Sequence, residues 1–441
     1  MHEGVFSRIE FFPDSSRISE TRIVIFSGVR GDTRRYRATH LYEQLSLAGA
    51  DCTLSHLTDP ALPRLVASAS AVIVHRVPMD RYVEKLFRTV RDHNALLVLD
   101  ADDYLYDPSV MRWIDSPDFQ DPVRARLYQQ ELLRHRETLD YCDALTVSTD
   151  YLAGMLSKTG KPVYVHRNAY SQEMLSLSDQ AFDAHSHSSG RVVIGYASGT
   201  HTHDKDFAML KPVLCDILGR YPQAELWLMG AIDPGQGWGR LHNRIHAFPA
   251  VPWRKLPERL ARLDINLAPL VLENPFSESK SEIKFMEAAL VRVPTVASQT
   301  GAFAYAIRPR QTGFLADSQE EWYDALSYLV ENTDARLAMG QAAYQDVLSR
   351  YAPLERGLAM LDRLSQMAED AGRAAIEVQP AGKRTEPPFL FTAQDEGHPT
   401  MPEMALYSVR HRGLVTLLGQ VWVFFRRKLA PVFPFRAARS E

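Results

Sequence analysis

Short apolar runs alternate with amphipathic stretches along most of the chain, a pattern typical of parallel β-α-β units. One series of apolar runs ends near His166, and a second begins at Val192. The runs predict buried strands at Arg22–Phe26, Ala71–His75, Leu96–Leu99, Ala144–Ser148, Val163–His166, Val192–Tyr196, Ala224–Met229, Ile265–Ala268 and Thr295–Ala297. The amphipathic stretches predict helices at Tyr36–Ala48, Arg81–His93, Asp121–Tyr141, Asp206–Arg220, Leu256–Leu263, Ser281–Leu290, Glu320–Glu331, Ala335–Arg350 and Leu354–Glu369.

Two halves of similar size predict an α/β protein with two doubly wound, Rossmann-like domains facing each other. Ligands of open parallel sheets bind beyond the carboxyl ends of the strands, so the cleft between the domains is the expected active site. We divide the chain into an N-terminal extension (1–21), a first domain (22–183), an interdomain linker (184–190), a second domain (191–350), a helix returning towards the first domain (351–376), a proline-rich linker (377–407) and a basic amphipathic tail (408–441).

Composition narrows the class of protein. Of the 441 residues, 45% are hydrophobic and 24% charged, which excludes wholesale disorder. The three cysteines, Cys52, Cys142 and Cys215, are far apart, which supports neither a disulfide framework nor a structural zinc site. A net charge of −4 argues against a nucleic-acid partner. With no signal peptide and no membrane span in the sequence, we expect a cytoplasmic protein.

The charge is unevenly distributed. The tail, 408–441, has seven basic residues and one acid, so it carries +6 while the rest carries −10. Apolar residues between Leu414 and Phe425 recur at helical spacing and precede Arg426-Arg-Lys428. Such a segment suits an interfacial helix on the inner face of a membrane with anionic lipid, or a helix docked on the body of the protein or on a partner.

The segment Glu273–Leu290 contains the most informative side chains. Ser279 and Glu282 have capping-box spacing and predict that a helix begins there. Lys280, Lys284 and Glu287 then lie on one face of that helix. A helix N-terminus flanked by lysines attracts phosphate, and a glutamate can accept hydrogen bonds from sugar hydroxyls. The alternative is a solvated charged face with a Lys–Glu pair.

This segment, followed by Val293-Pro-Thr-Val-Ala-Ser298, resembles the donor site of GT-B glycosyltransferases, specifically the retaining family 4. Ile194–Asp206, Leu267–Leu270 and Gln311–Leu315 add to the resemblance, which covers about Arg22 to Glu369. It implies a second domain that binds a nucleotide diphosphate sugar and a first domain that presents the acceptor. Neither a cofactor nor a metal is implied.

The resemblance also implies roles for individual residues. Glu287 would bind the nucleotide ribose and, with Lys284, act in catalysis. The loop containing Gly199 and Thr200 would approach the donor, and Lys205 would hold its diphosphate. The family's first glutamate is replaced by Ser279, with Glu278 one residue away, and its usual arginine is absent. The positive charge that this arginine would supply to the diphosphate is therefore assigned to Lys280, Lys284 or Arg254.

On the acceptor side, the resemblance places a glycine- and arginine-containing loop against the cleft. Gly28 and Gly31 allow close backbone approach, and Arg37 suits phosphate oxygens. His75 ends a predicted strand and is either an acid, base or transition-state contact, or a packed core residue. Asp102 lies in Asp100-Ala-Asp-Asp103, whose carboxylates we assign to acceptor hydroxyls or backbone N–H groups rather than to a metal.

These observations predict a glycosyltransferase that moves a sugar from a nucleotide diphosphate sugar to a saccharide or lipid-linked saccharide. A role in cell-surface polysaccharide or glycoconjugate synthesis would fit that acceptor. Two alternatives stay open: a non-catalytic nucleotide-sugar binder or assembly protein, and a GT-B-like sugar-nucleotide epimerase. In a third, weaker alternative, the tail carries the function, and the body is an interaction platform that the tail recruits to a membrane.

Overall fold

A computed structural model describes residues 21–114, 116–185, 190–199 and 204–376. The expectations for Thr200, for the proline-rich linker and for the basic tail concern residues outside these ranges, and they stay predictions.

The described residues form two six-stranded parallel sheets. The first sheet has the order β2-β1-β3-β4-β5-β6 and the second has β12-β11-β10-β7-β8-β9. The strands are β1 (Arg22–Ser27), β2 (Asp51–His56), β3 (Ala71–His75), β4 (Leu96–Ala101), β5 (Ala144–Val147), β6 (Val163–Val165), β7 (Val192–Ser198), β8 (Ala224–Gly230), β9 (Ile245–Phe248), β10 (Ile265–Ala268), β11 (Thr295–Ser298) and β12 (Gly313–Ala316). The strand order reverses beside β1 in one sheet and beside β7 in the other, where ligands of such sheets bind.

Helices cover both sheets and supply the rest of the core. They are α1 (Asp32–Arg34), α2 (His40–Leu47), α3 (Leu62–Ala67), α4 (Arg81–Asp92), α5 (Pro122–Tyr141), α6 (Asp150–Leu156), α7 (Gln172–Ala184), α8 (Asp204–Ala208), α9 (Lys211–Arg220), α10 (Leu256–Leu260), α11 (Pro275–Glu278), α12 (Ile283–Leu290), α13 (Gly301–Ala306), α14 (Gln319–Glu331), α15 (Thr333–Arg350) and α16 (Pro353–Asp370). A π-helical segment, Arg35–Thr39, joins α1 to α2. No helix in the described ranges is both long enough and apolar enough to cross a bilayer.

Local chemistry explains why these elements form where they do. In α4, the Asp80 carboxylate accepts hydrogen bonds from the backbone N–H groups of Tyr82 and Val83, which would otherwise lack partners at the helix start. Val83 and Phe87, four residues apart, are fully buried against the first sheet. The central strands are buried on both faces, as β3 shows with all five residues inaccessible to solvent. Periodicity in the sequence therefore locates most of the elements.

Three strands and one long helix escape the sequence analysis. β2 and β9 are edge strands with at most one fully buried residue each, so their apolar signal is weak. β12 has only four residues, and the sequence analysis uses the overlapping segment Gln311–Leu315 only for the family resemblance. The sequence analysis assigns no helix to the segment that forms α7.

Helix α7 lies at the predicted boundary between the two domains. Met174 and Ala181 of this helix join apolar clusters of the second sheet, so α7 packs with the second unit although it precedes the predicted linker at 184–190. Sequence periodicity shows that a helix has a buried face, but not which sheet covers it. The last helix, α16, packs against α2 and adds Leu361 and Leu364 to the core of the first sheet.

Candidate functional site

A cavity of about 320 Å³ lies between the two units, at the carboxyl ends of both sheets. Its walls include loops that follow β1 and β4 in the first unit and β7, β8 and β9 in the second. Several described lining residues carry polar or charged side chains: Asp32, Arg35, Tyr36, Arg37, Asp102, Asp103, Asn168, Ser198, Arg259, Lys280, Ser281, Lys284 and Glu287. The position agrees with the strand-order reversal at β1 and β7, and it makes this cavity the candidate active site.

The segment around α12 brings three predicted residues to the cavity. Lys280, Lys284 and Glu287 all line it, while Phe285 and Ala288 on the opposite side are fully buried. The Lys284 ammonium donates to the carbonyl of Ala197 at the end of β7. Burial lowers the pKa of Lys284, although the Glu287 carboxylate partly opposes this shift. The three side chains can therefore act on one ligand.

The predicted capping box is wrong. Ser279 donates to the carbonyl of Phe276 and ends the short helix α11, and α12 begins only at Ile283. The Glu282 side chain makes no cap; it accepts from the Tyr351 hydroxyl at 3.0 Å. Pairing with distant Tyr351 offsets the cost of burying Glu282, so tertiary contact overrides the local capping option.

Glu287 is held by two residues of the first unit. The Tyr36 hydroxyl donates to Glu287 Oε1, and Arg35 Nη2 lies 3.8 Å from the same oxygen. Burial raises the pKa of Glu287, and the nearby Arg35 charge opposes that rise. Arg35 also lies over the rings of Tyr36 and Trp253, at 4.1 and 4.7 Å from their centroids. The π-helical segment thus carries side chains of the first unit to the predicted ribose-binding glutamate.

Arg37 is fixed within a buried network. Its guanidinium makes a bidentate pair with Asp100 at 2.6 and 2.9 Å, and it also donates to the Asn168 side chain at 3.0 Å. Asn168 in turn donates to Ser281 of the second unit at 3.0 Å. Thr146 donates to Asp100 at 2.7 Å, so the carboxylate is well satisfied. Arg37 lines the cavity and is held in one orientation by these contacts.

The Asp102–Asp103 pair forms the wall opposite α12. Arg76 pairs with Asp102 at 2.8 Å and also with Asp103. Asp103 accepts from Lys280 at 2.7 Å, which links the two units. Burial opposes ionisation of Asp102, but the charge of Arg76 and a contact with His75 outweigh it and hold the pKa of Asp102 well below its usual range. Both carboxylates are therefore matched by cations.

His75 does not line the cavity. Its side chain is fully buried, with Nδ1 at 3.1 Å from the Ser27 hydroxyl and Nε2 at 3.4 Å from Asp102. Of the two interpretations offered for His75, this geometry corresponds to the packed core residue rather than the catalytic contact. His75 supports Asp102 from behind, and the carboxylate alone faces the cavity.

The remaining predicted residues occupy several places. Gly199 lines the cavity, and Lys205 lies in a second, neighbouring cavity. Gly28 lies against the backbone of Arg76, where a Cβ would come within 2.2 Å of the carbonyl oxygen. Gly31, at φ 86°, precedes α1. These two glycines shape the loop after β1 without lining the cavity.

Two proposed donor contacts are not brought to either cavity. Arg254 pairs with Glu173 of α7 at 2.6 Å, so a tertiary ion pair directs it away. Glu278 ends α11 and lines neither cavity within the described part of the chain. Arg35, by contrast, lines the first cavity, and its Nη1 is buried and makes no hydrogen bond within the described ranges. The sequence signal for Arg35 was its place in the arginine-rich loop after β1.

Several cavity residues had no individual signal in the sequence. The helical pattern places Tyr36 only at the start of a helix, and Asn168 lies in an irregular segment after β6. Trp253 and Arg259 follow β9, which the sequence analysis did not detect. Their shared feature is tertiary: each becomes part of the site only when the two sheets face each other.

The architecture is that of the GT-B glycosyltransferases, with two facing parallel α/β sheets. Residues 191–332 match the family model described as "Glycosyl transferases group 1". The predicted resemblance to GT-B glycosyltransferases is thus confirmed. A comparison with curated proteins found no match.

Solved structures share the fold over most of the chain. A sucrose-phosphate synthase from Thermosynechococcus elongatus aligns with a TM-score of 0.55 at 13% identity, covering 79% of this chain and 100% of that one. WaaG, a glycosyltransferase involved in lipopolysaccharide biosynthesis, gives 0.51 at 12% identity, with coverage of 77% and 99%. Anabaena HepE in complex with UDP-glucose gives 0.50 at 14% identity, with coverage of 78% and 99%.

Proposed function

We propose that this protein transfers a sugar from a nucleotide diphosphate sugar to a saccharide or lipid-linked saccharide acceptor. The observation that carries the proposal is the convergence of Lys280, Lys284 and Glu287 on one interdomain cavity. Two cations can neutralise a departing diphosphate, and a carboxylate can accept hydrogen bonds from ribose. The family match of residues 191–332 and the UDP-glucose complex of HepE support a nucleotide-sugar donor.

In this proposal, the second unit binds the donor and the first unit completes the site. Lys284, which is partly buried, acts more strongly on negative charge than an exposed lysine because fewer water molecules screen it. Arg35 and Tyr36 bring the first unit onto Glu287, so donor binding and closure of the two units are coupled. The cavity then excludes water from the reacting bond, which favours transfer over hydrolysis.

The resemblance extends the proposal to retention at the anomeric carbon and to catalysis without a metal. Catalysis without a metal is supported by the ion pairs of Asp102 and Asp103, because Arg76 and Lys280 already neutralise these carboxylates. Work in cell-surface glycoconjugate synthesis at the cytoplasmic face of a membrane is also part of the proposal. The involvement of WaaG in lipopolysaccharide biosynthesis is compatible with this role.

Thermal-shift measurements with UDP-, GDP-, dTDP- and CMP-linked sugars test the donor site. A diphosphate-linked sugar should raise the melting temperature, since a ligand at a hundred times its Kd adds about 2.7 kcal/mol. CMP-sugars have a single phosphate and should act weakly. Lys284→Met should abolish the shift, whereas Lys85→Met on the exposed side of α4 should preserve it. No shift with any diphosphate sugar would contradict the proposal.

Turnover assays separate the three candidate functions. A transferase releases nucleoside diphosphate faster when membrane-derived saccharide acceptors are added. A binder gives the thermal shift without release, and an epimerase changes the donor sugar without an acceptor. Nuclear magnetic resonance of the new anomeric proton decides between retention and inversion.

A further inference from the structure

The proposed donor-binding side chains of the second unit have two kinds of partner. Lys284 donates to a backbone carbonyl at the end of β7, within its own unit. Lys280 instead pairs with Asp103 of the first unit at 2.7 Å. Glu287 also has a partner in the first unit, because its Oε1 accepts from the Tyr36 hydroxyl. Lys280 and Glu287 are therefore engaged across the cleft, whereas Lys284 is not.

The two partners in the first unit resemble parts of a nucleotide. The Asp103 carboxylate accepts a charge-assisted hydrogen bond from Lys280, as a phosphate oxygen would. The Tyr36 hydroxyl donates to the Glu287 carboxylate, as a ribose hydroxyl would. The first unit thus presents an anion and a hydroxyl to the two side chains that the proposed function assigns to diphosphate and ribose.

These contacts compete with a nucleotide for the same atoms. Tyr36, Asp103, Lys280 and Glu287 all line the first cavity. Two ribose hydroxyls bound by Glu287 would need both of its carboxylate oxygens. The Tyr36 hydroxyl already contacts Oε1, and Arg35 Nη2 lies 3.8 Å from the same oxygen. A ribose hydroxyl therefore reaches Oε1 only when the Tyr36 hydroxyl withdraws.

Both partners can withdraw without leaving a buried charge unpaired. Asp103 also pairs with Arg76, which continues to neutralise its carboxylate when Lys280 turns to a phosphate. Tyr36 is neutral, and the Arg35 guanidinium lies 4.1 Å from its ring centroid, a contact that does not involve the hydroxyl. The free-energy cost of exchanging these contacts for a ligand is therefore small enough for binding to drive it.

We infer that the Tyr36–Glu287 and Asp103–Lys280 contacts form an interunit latch, which a ligand releases only if it carries both a hydroxyl pair and a phosphate. The inference rests on the proposed function, because it takes Glu287 and Lys280 as the ribose and diphosphate groups. A nucleoside displaces Tyr36 alone, and pyrophosphate displaces Asp103 alone. With either fragment, the other contact still joins the units. The latch therefore selects intact nucleotides over their fragments.

Titration calorimetry on the full chain tests the two contacts separately. The probes are UDP and GDP, the nucleosides uridine and guanosine, and inorganic pyrophosphate. Tyr36→Phe removes only the competing hydroxyl, so it should lower the Kd of the preferred nucleoside about tenfold and leave that of pyrophosphate unchanged. Asp103→Asn should lower the Kd of pyrophosphate about tenfold and leave that of the nucleoside unchanged. The preferred nucleoside diphosphate should gain affinity in both variants.

Two control variants match these substitutions. Tyr164→Phe also removes a hydroxyl bonded to a carboxylate, that of Asp370 at 3.1 Å, but Tyr164 lines neither cavity. It should leave every Kd unchanged. Asp32→Asn removes a carboxylate of the cavity wall that pairs with Arg35 rather than with a lysine. It measures the general effect of one negative charge and should strengthen pyrophosphate binding less than Asp103→Asn does.

Small-angle X-ray scattering provides a readout that needs no nucleotide. The double variant Tyr36→Phe/Asp103→Asn lacks both contacts of the latch, so its radius of gyration should exceed that of the wild type. Addition of the preferred nucleoside diphosphate should reduce this difference, because the ligand then joins the units. Urea unfolding of the same proteins shows that each variant is folded.

Several results would overturn the latch while leaving the proposed function in place. These are nucleoside binding that is weakened or unchanged by Tyr36→Phe, pyrophosphate binding that Asp32→Asn strengthens as much as Asp103→Asn, and an unchanged radius of gyration in the double variant. A different result would count against the proposed function. If the double variant expands but neither it nor the wild type binds any nucleotide, Tyr36 and Asp103 are only a structural link between the units.

Discussion

Replacing Glu287 with glutamine tests the donor site most directly. The substitution keeps the size of the side chain but removes the charge that Tyr36 and Arg35 contact. At 3.8 Å and an effective dielectric constant of about 20, the attraction between Arg35 and Glu287 is about 4 kcal/mol. A neutral amide costs less free energy to bury than a carboxylate, and this difference offsets part of the lost attraction. We therefore expect Glu287→Gln to lower the free energy of unfolding by about 1–3 kcal/mol.

The effect on nucleotide binding follows from the two ribose hydroxyls. A hydrogen bond to a charged acceptor contributes about 1 kcal/mol more than one to a neutral amide. Two such bonds give about 2 kcal/mol, which corresponds to a roughly 30-fold higher Kd. The same loss should appear in kcat/KM for nucleoside diphosphate release, because the ribose stays bound through the reaction.

Titration calorimetry with the nucleoside diphosphate measures the Kd, and urea unfolding measures stability. Glu320→Gln, an exposed change in the first turn of α14, serves as the control. A Glu287→Gln protein that is less stable but binds nucleotide within twofold of the wild type would refute the ribose assignment. Glu287 would then be a structural link between the units.

Two further predictions concern stability. Burial raises the pKa of Glu43 from 4.5 to about 7, so the folded state holds this proton more tightly than the unfolded state. The free energy of unfolding should therefore fall by about 3 kcal/mol as the pH rises from 4.5 to about 7, relative to Glu43→Gln. Urea unfolding measures this free energy as a function of pH. The same pH dependence in both proteins would contradict the prediction. At Gly230 (φ 101°), a Cβ would lie 2.0 Å from the Ser198 carbonyl oxygen in the cavity wall. Gly230→Ala should therefore lower the melting temperature and weaken nucleotide binding. Gly219→Ala is the control, because a Cβ at Gly219 would meet no atom within 4 Å. Equal melting temperatures for the two variants would refute the steric argument.

The sequence predicted most of the central strands and the face of α12 that lines the cavity. Lys280, Lys284 and Glu287 needed only helical spacing to be grouped, and helical spacing is a local property. Edge strands such as β9 were missed because their burial is partial, so the apolar pattern is weak. The capping box at Ser279 failed for a related reason: a distant tyrosine, Tyr351, competes for the glutamate.

The amino-acid sequence by itself determined the two α/β halves and the helix α12 with its charged face. The tertiary structure alone decided which partners those charges have. Tyr36 and Glu287 are 251 residues apart, and Arg254 is turned from the cavity by Glu173. Short-range periodicity records which face of a helix is buried, whereas contacts across a cleft depend on how two separately formed sheets meet. The cavity and its first-unit side chains therefore arise only from the packing of the two units.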